Sequence, residues 1–136
     1  MLFHETKLRV RYADTDKMGY VYYGKYTEYF EVGRTELIRS LGLPYKEMED
    51  RGIMLPVSEM SIKYYHPAIY DDLLIIRTTV KEFPNLRFIT HYEILNEKEE
   101  LLVTGVVQLV FVDMAKNRPV RSPEFIMEYI RKSWKE

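Results

Sequence analysis

The stretch from Tyr12 to Tyr26, YADTDKMGYVYYGKY, sets Asp14 and Asp16 two residues apart, ahead of Gly19 and a run of tyrosines. Carboxylates so spaced can ligate calcium, act on a carbonyl, or form a turn before a helix. A calcium loop of the EF-hand type, counted from Asp14, has Asp16 and Gly19 where a ligand and a glycine belong. Its remaining key positions fall on Met18, a thioether in place of an oxygen ligand, and on Lys25, a cation in place of the bidentate glutamate. Calcium is therefore not expected. Zinc is not expected either, since His4, His66 and His91 have no ligand-pair spacing and the chain has no cysteine. No serine lies in a G-x-S-x-G context, and neither G-x-G-x-x-G nor a P-loop occurs, so no cofactor is implied by these motifs. Carboxylate chemistry remains, beside the plainer reading of the two aspartates as turn formers or helix-dipole partners.

The chemical reading has a physical basis. Residues Gly19 to Gly24 lead into a long helix, whose first N–H groups lack intrahelical acceptors. Such an end can hold a carbonyl oxygen and stabilise the charge it gains during attack. Asp16 lies close enough upstream to face the same carbonyl, which suits acyl transfer or hydrolysis. No general acid stands in this stretch. A thiolate leaving group, with a free-thiol pKa of about 8.5, needs little help from one, so a thioester fits better than an amide.

The elements that must position these groups are legible in outline. Leu8, Val10 and Tyr12 alternate with Lys7, Arg9 and Arg11, a strand with a basic outer face. A helix is expected from Tyr22 to Leu41, with Tyr26, Phe30, Gly33, Leu37 and Leu41 as its apolar stripe. Gly42 supplies a left-handed stop, with Pro44 beyond it. Gly33 in mid-helix costs about 0.5–1 kcal/mol relative to alanine, which close packing against a strand would offset. After a short helical turn from Pro44 to Gly52, four strands follow: Met60-Ile62-Tyr64, Leu74 to Val80, Leu86 to Ile94, and Leu101 to Val112. Their connections, HPAIYDD, FPN and NEKEE, are turn-like, and the simplest pairing is an antiparallel meander. A tail helix opens with Ser122 as cap and Pro123 as first helical residue, and docks through Ile126, Tyr129, Ile130 and Trp134.

Composition bounds the rest. The chain has 136 residues, enough for one domain, and is 46% hydrophobic with 30% charged residues. Twenty basic residues against 21 acidic ones give no footprint for nucleic acid. The near-apolar run from Leu101 to Val112 is shorter than the ~20 residues of a membrane span, and the first residues lack a signal-peptide core. A cytoplasmic protein is expected. One helix cannot cover both faces of a five-stranded sheet, so a partner subunit is expected to bury another surface.

The motif around Asp16, with YFEVGRTE from Tyr29 to Glu36 and IKYYHPAIYDDLL from Ile62 to Leu74, resembles the acyl-CoA thioesterases of the 4-hydroxybenzoyl-CoA thioesterase family. The likeness is strongest to the branch often associated with the Tol–Pal envelope system. It implies the hotdog fold, an α+β arrangement of a five-stranded antiparallel sheet wrapped around one long helix, here with a short C-terminal helix and residues 1–136 as a single domain. It implies that Asp16 is the catalytic carboxylate, as general base or nucleophile, and that Asp14 is structural. The backbone N–H of Tyr23 would be the oxyanion donor. Glu31 and Leu55 fall where that family contacts the aryl hydroxyl, and Arg87 is the basic residue beside its CoA-nucleotide cluster. The resemblance further implies an acyl-CoA substrate, no cofactor, and homodimers or homotetramers with active sites at the subunit interface. The alternatives are a non-catalytic acyl-CoA binding module on the same fold, or a dehydratase-type enzyme, which would need His66 or His91 near the aspartate.

Overall fold

A computed structural model describes residues 1–43 and 45–136. Its elements run β1 (Leu2–Arg9), α1 (Lys25–Ser40), α2 (Tyr45–Asp50), β2 (Ile53–Met54), β3 (Val57–Tyr64), β4 (Leu73–Val80), β5 (Arg87–Leu95), β6 (Leu101–Asp113), β7 (Arg118–Val120) and α3 (Glu124–Ser133). Five long strands make the sheet in the order β1-β4-β5-β6-β3, all antiparallel. The short β2 and β7 extend it around the far end of β6.

The meander expected from the sequence holds for β4-β5-β6 but not for β3, which docks on the free side of β6. The reason lies in the connection from Tyr65 to Asp72. It is too long for a tight hairpin, and its backbone is engaged elsewhere, as described below.

The sheet takes α1 on one face through its two closest approaches. A Cβ on Gly33 would lie 2.5 Å from Thr78 Oγ1 and 2.8 Å from Ile76 Cγ2, so the strand-packing role expected for this glycine is what the structure has. Gly105 of β6 does the converse: the Phe30 ring occupies the space over it, with ring carbons 2.4 Å from where a Cβ would stand. Phe30 in turn stacks on Tyr92 at 4.4 Å between centroids. Below the ring, Tyr92 Oη accepts from Arg34 and from Thr90 Oγ1. Arg34 also donates to Tyr45 Oη, so this buried guanidinium is held by two phenols.

Three boundaries differ from the sequence reading. α1 begins at Lys25 rather than Tyr22: the Tyr22 carbonyl accepts from the Lys25 N–H three residues on, and the chain turns once before the helix starts. β1 ends at Arg9, leaving Val10 buried and Tyr12 78% exposed in a one-turn 3₁₀ segment. Ser122 is not the cap of α3. The Pro123 carbonyl accepts the first helical bonds, from Ile126 and Met127, while the Ser122 N–H is held by the Asn85 carbonyl. Gly42 has the expected left-handed backbone at φ +87, while the Pro44 part of that stop signal lies outside the described residues. Ile126 and Ile130 dock α3 in the core, with Tyr129 and Trp134 packed at its edge. No helix among the described residues is long and apolar enough to cross a membrane.

Candidate active site

The segment between β1 and α1 is built around its two aspartates, and they do different work. Asp14 is buried. Its Oδ2 accepts from the Tyr29 hydroxyl at 2.8 Å and from the Arg11 N–H at 3.2 Å, while Oδ1 faces Lys25 Nζ at 3.5 Å. Its carbonyl accepts from Tyr22, so this residue ties the loop to the turn that precedes α1. Burial pushes the carboxyl pKa up, but the Tyr29 hydroxyl, the Arg11 N–H and Lys25 outweigh it and hold the group below its ordinary value. Burial and Asp14 together push the Tyr29 phenol far up, so that pair is carboxylate and neutral phenol at neutral pH.

A carboxyl with a depressed folded-state pKa adds stability above its unfolded pKa of about 3.9 and loses it as pH falls through the folded value. Asp14→Asn is therefore expected to cost about 1–3 kcal/mol at pH 7 and progressively less as the acid limb is reached below pH 4. Thermal melts of both proteins between pH 7 and pH 3 check this. A gap that stays constant over that range would remove the charge from the explanation.

Asp16 is exposed and points to another use. Its Oδ1 accepts from the Met18 N–H at 2.9 Å and the Tyr20 N–H at 3.2 Å. Its own N–H donates to the Tyr20 carbonyl, its carbonyl accepts from Gly19, and Gly19 has φ +78. The loop closes on its aspartate and fixes one carboxylate oxygen. Among the described residues, no donor reaches Oδ2.

This loop is stapled to the β3–β4 connection. The Val21 N–H donates to the Ala68 carbonyl at 2.9 Å and the Tyr70 N–H to the Gly19 carbonyl at 3.2 Å. The staple brings Tyr64, Tyr65 and His66 around a cavity of about 360 Å³ that Asp16, Tyr23 and Tyr26 also line. On the Tyr23 side, the Lys25 N–H occupies the Tyr22 carbonyl, while the N–H groups of Tyr23 and Gly24 have no acceptor among the described residues. Asp16, with a carboxylate oxygen that has no donor, and Tyr23, with a backbone N–H that has no acceptor among the described residues, thus line one open space. That combination can place a base or nucleophile on one side of a carbonyl group and hydrogen-bond donors on its oxygen.

Of the residues singled out from the sequence, the structure brings Asp16 and Tyr23 to one cavity. Glu31 lies on the exposed side of α1, Leu55 is half-buried between β2 and β3, and Arg87 is exposed at the start of β5. None of these three lines the Asp16 cavity of the single chain. His66 does, whereas His91 lies in a separate hollow with Thr79, Lys81 and Thr104. Tyr64 and Tyr65 were not legible as site residues, since only the staple between segments far apart in sequence brings them near Asp16.

Comparison with known proteins gives concordant results. The model of the thioesterase-like superfamily matches residues 10–130. The chain is 34% identical over 115 residues to the putative acyl-CoA thioesterase YneP of Bacillus subtilis, covering 85% of this chain and 83% of that protein. It is 32% identical over 120 residues to the acyl-CoA thioester hydrolase YbgC of Escherichia coli, covering 88% and 90%. Among solved structures, a DHNA-CoA thioesterase from Staphylococcus aureus superposes with a TM-score of 0.90 at 36% identity, over 97% of this chain and 91% of that one.

Proposed function

Since the chain belongs to the thioesterase-like superfamily, we propose that it is an acyl-CoA thioesterase, one domain over residues 1–136, cleaving an acyl-CoA to free acid and CoA. The observation that carries the reading is that Asp16 and Tyr23 line one cavity. Asp16 Oδ2 takes a proton from water as the water oxygen attacks the thioester carbon. The carbonyl π electrons move onto oxygen, and the Tyr23 N–H donates a hydrogen bond to the oxyanion so formed. Collapse of the tetrahedral species breaks the C–S bond and releases CoA thiolate, which needs no acid with a thiol pKa of about 8.5. In the nucleophilic variant, Oδ2 itself attacks the thioester carbon, the C–S bond breaks to release CoA thiolate, and water hydrolyses the resulting anhydride to the free acid and the Asp16 carboxylate. No cofactor enters either route. Acyl-CoA is an intracellular metabolite, and the reading places the enzyme in the cytoplasm with it.

Hydrolysis of a panel of aryl, short-chain and long-chain acyl-CoA esters, read as free thiol, tests the proposal. Turnover on at least one ester is expected. Binding without turnover across the panel would replace the enzyme with a binding module. Turnover only of enoyl-CoA by hydration would replace it with a dehydratase-type activity.

The working form in this reading is a homodimer, or a dimer of dimers, joined along β3. That strand pairs with β6 on one side only, and its free side carries apolar groups: Val57 is 47% exposed, Met60 39% and Tyr64 51%, with Tyr65 just beyond at 50%. An unpaired edge bearing such side chains is a template for a second copy. It borders the open side of the Asp16 cavity, so Glu31, Leu55 and Arg87 serve the partner chain's cavity rather than their own. Light scattering should give two or four times the 16.4 kDa of one chain, and Met60→Asp should shift the population toward one chain. A wild-type mass of one chain would remove the dimer.

A further inference from the structure

The peptide groups on either side of Tyr23 are fixed from outside, and by different partners. The Tyr22–Tyr23 peptide is held through its carbonyl by the Lys25 N–H at 2.9 Å, a local contact. The Tyr23–Gly24 peptide is held through its carbonyl by the Tyr64 hydroxyl at 3.3 Å, a contact spanning 41 residues. Each bond restrains the peptide plane it belongs to, and together they restrain both backbone torsions of Tyr23 and hence the direction of its N–H.

The Tyr64 hydroxyl is itself well placed to do this. Its ring meets the buried Tyr26 ring edge-on, with centroids 5.6 Å apart, and the Tyr26 hydroxyl accepts from the Ala68 N–H at 3.2 Å.

We propose that Tyr64 is a positioning residue for the reaction: its hydroxyl holds the Tyr23 carbonyl and so keeps the Tyr23 N–H aimed at the oxyanion. The inference rests on the thioesterase reading. It assigns to the phenol of a β3 residue an effect on rate that is exerted wholly through backbone it touches.

Tyr64→Phe keeps the ring against Tyr26 and removes only the hydroxyl. The loss of one net hydrogen bond corresponds to a fall in kcat of about three- to tenfold, with KM unchanged. A second measurement reads the polarisation without turnover. Asp16→Asn protein loaded with acyl-CoA carrying a ¹³C thioester carbonyl is expected to show that carbonyl stretch lowered on binding. Adding Tyr64→Phe should return part of the shift. Equal kcat values, a loss confined to KM, or identical carbonyl bands would overturn the role of Tyr64. A wild-type protein that cleaves no ester would instead overturn the thioesterase reading, and the carbonyl bands would still report whether the hydroxyl polarises the bound group.

Discussion

Asp16→Asn is expected to lower kcat on every ester the enzyme cleaves by at least about 10²–10⁴, the range lost with a general base, while the protein stays folded and still binds substrate. The substitution is nearly isosteric. An asparagine carbonyl can keep the two bonds that Oδ1 accepts from Met18 and Tyr20, so the loop retains its shape. What changes is the other oxygen, which becomes an amide nitrogen with no basicity and no nucleophilicity. Thiol release and a thermal melt together check the result. A variant with full turnover would remove Asp16 from the chemistry. Single turnover of the wild type in ¹⁸O water then separates the two routes, since label enters Asp16 itself only through the anhydride.

The largest effect on stability is expected at Gly105. An added Cβ would lie 2.4 Å from two carbons of the Phe30 ring. The ring has no room to retreat, being fully buried and stacked on Tyr92, whose hydroxyl is fixed by Arg34 and Thr90. Overpacking of this kind costs about 1–3 kcal/mol, so Gly105→Ala should lower Tm by roughly 3–12 °C in a domain of this size. Phe30→Leu in the same protein should return part of the loss by clearing the space. A Gly105→Ala melt that matches wild type would show that the ring is free to move.

Much of this fold was legible because the relevant signals are local. The stripe Tyr26, Phe30, Gly33, Leu37 was enough to give α1 its buried face, and alternation gave β4, β5 and β6. The position of β3 was not legible, since alternation says which face a residue takes and nothing about which strand lies beside it. The start of α1 was misplaced because Tyr22 and Tyr23 fit an apolar helix. Instead the Tyr22 carbonyl closes a tight turn with the Lys25 N–H, and the Tyr23 carbonyl accepts from Tyr64, a partner 41 residues on with no periodic mark. Ser122 read as a cap by type, but a tertiary bond to Asn85 fixes its backbone one residue too early. At the site, the spacing of Asp14 and Asp16 was visible as a motif. Their division of labour follows from burial, which a string of letters does not carry.

The staple between the Asp16 loop and the β3–β4 connection has a consequence for the order of events as the chain folds. The contacts that assemble the cavity, Tyr64 to Tyr23 and Ala68 to Tyr26, close loops of 41 and 42 residues. Each closure has an entropic cost that nearby sequence cannot lower. The helix and the hairpins can form while Asp16 and Tyr64 are still apart. The cavity is thus a property of the tertiary fold, since no single stretch of the chain holds both Asp16 and Tyr64.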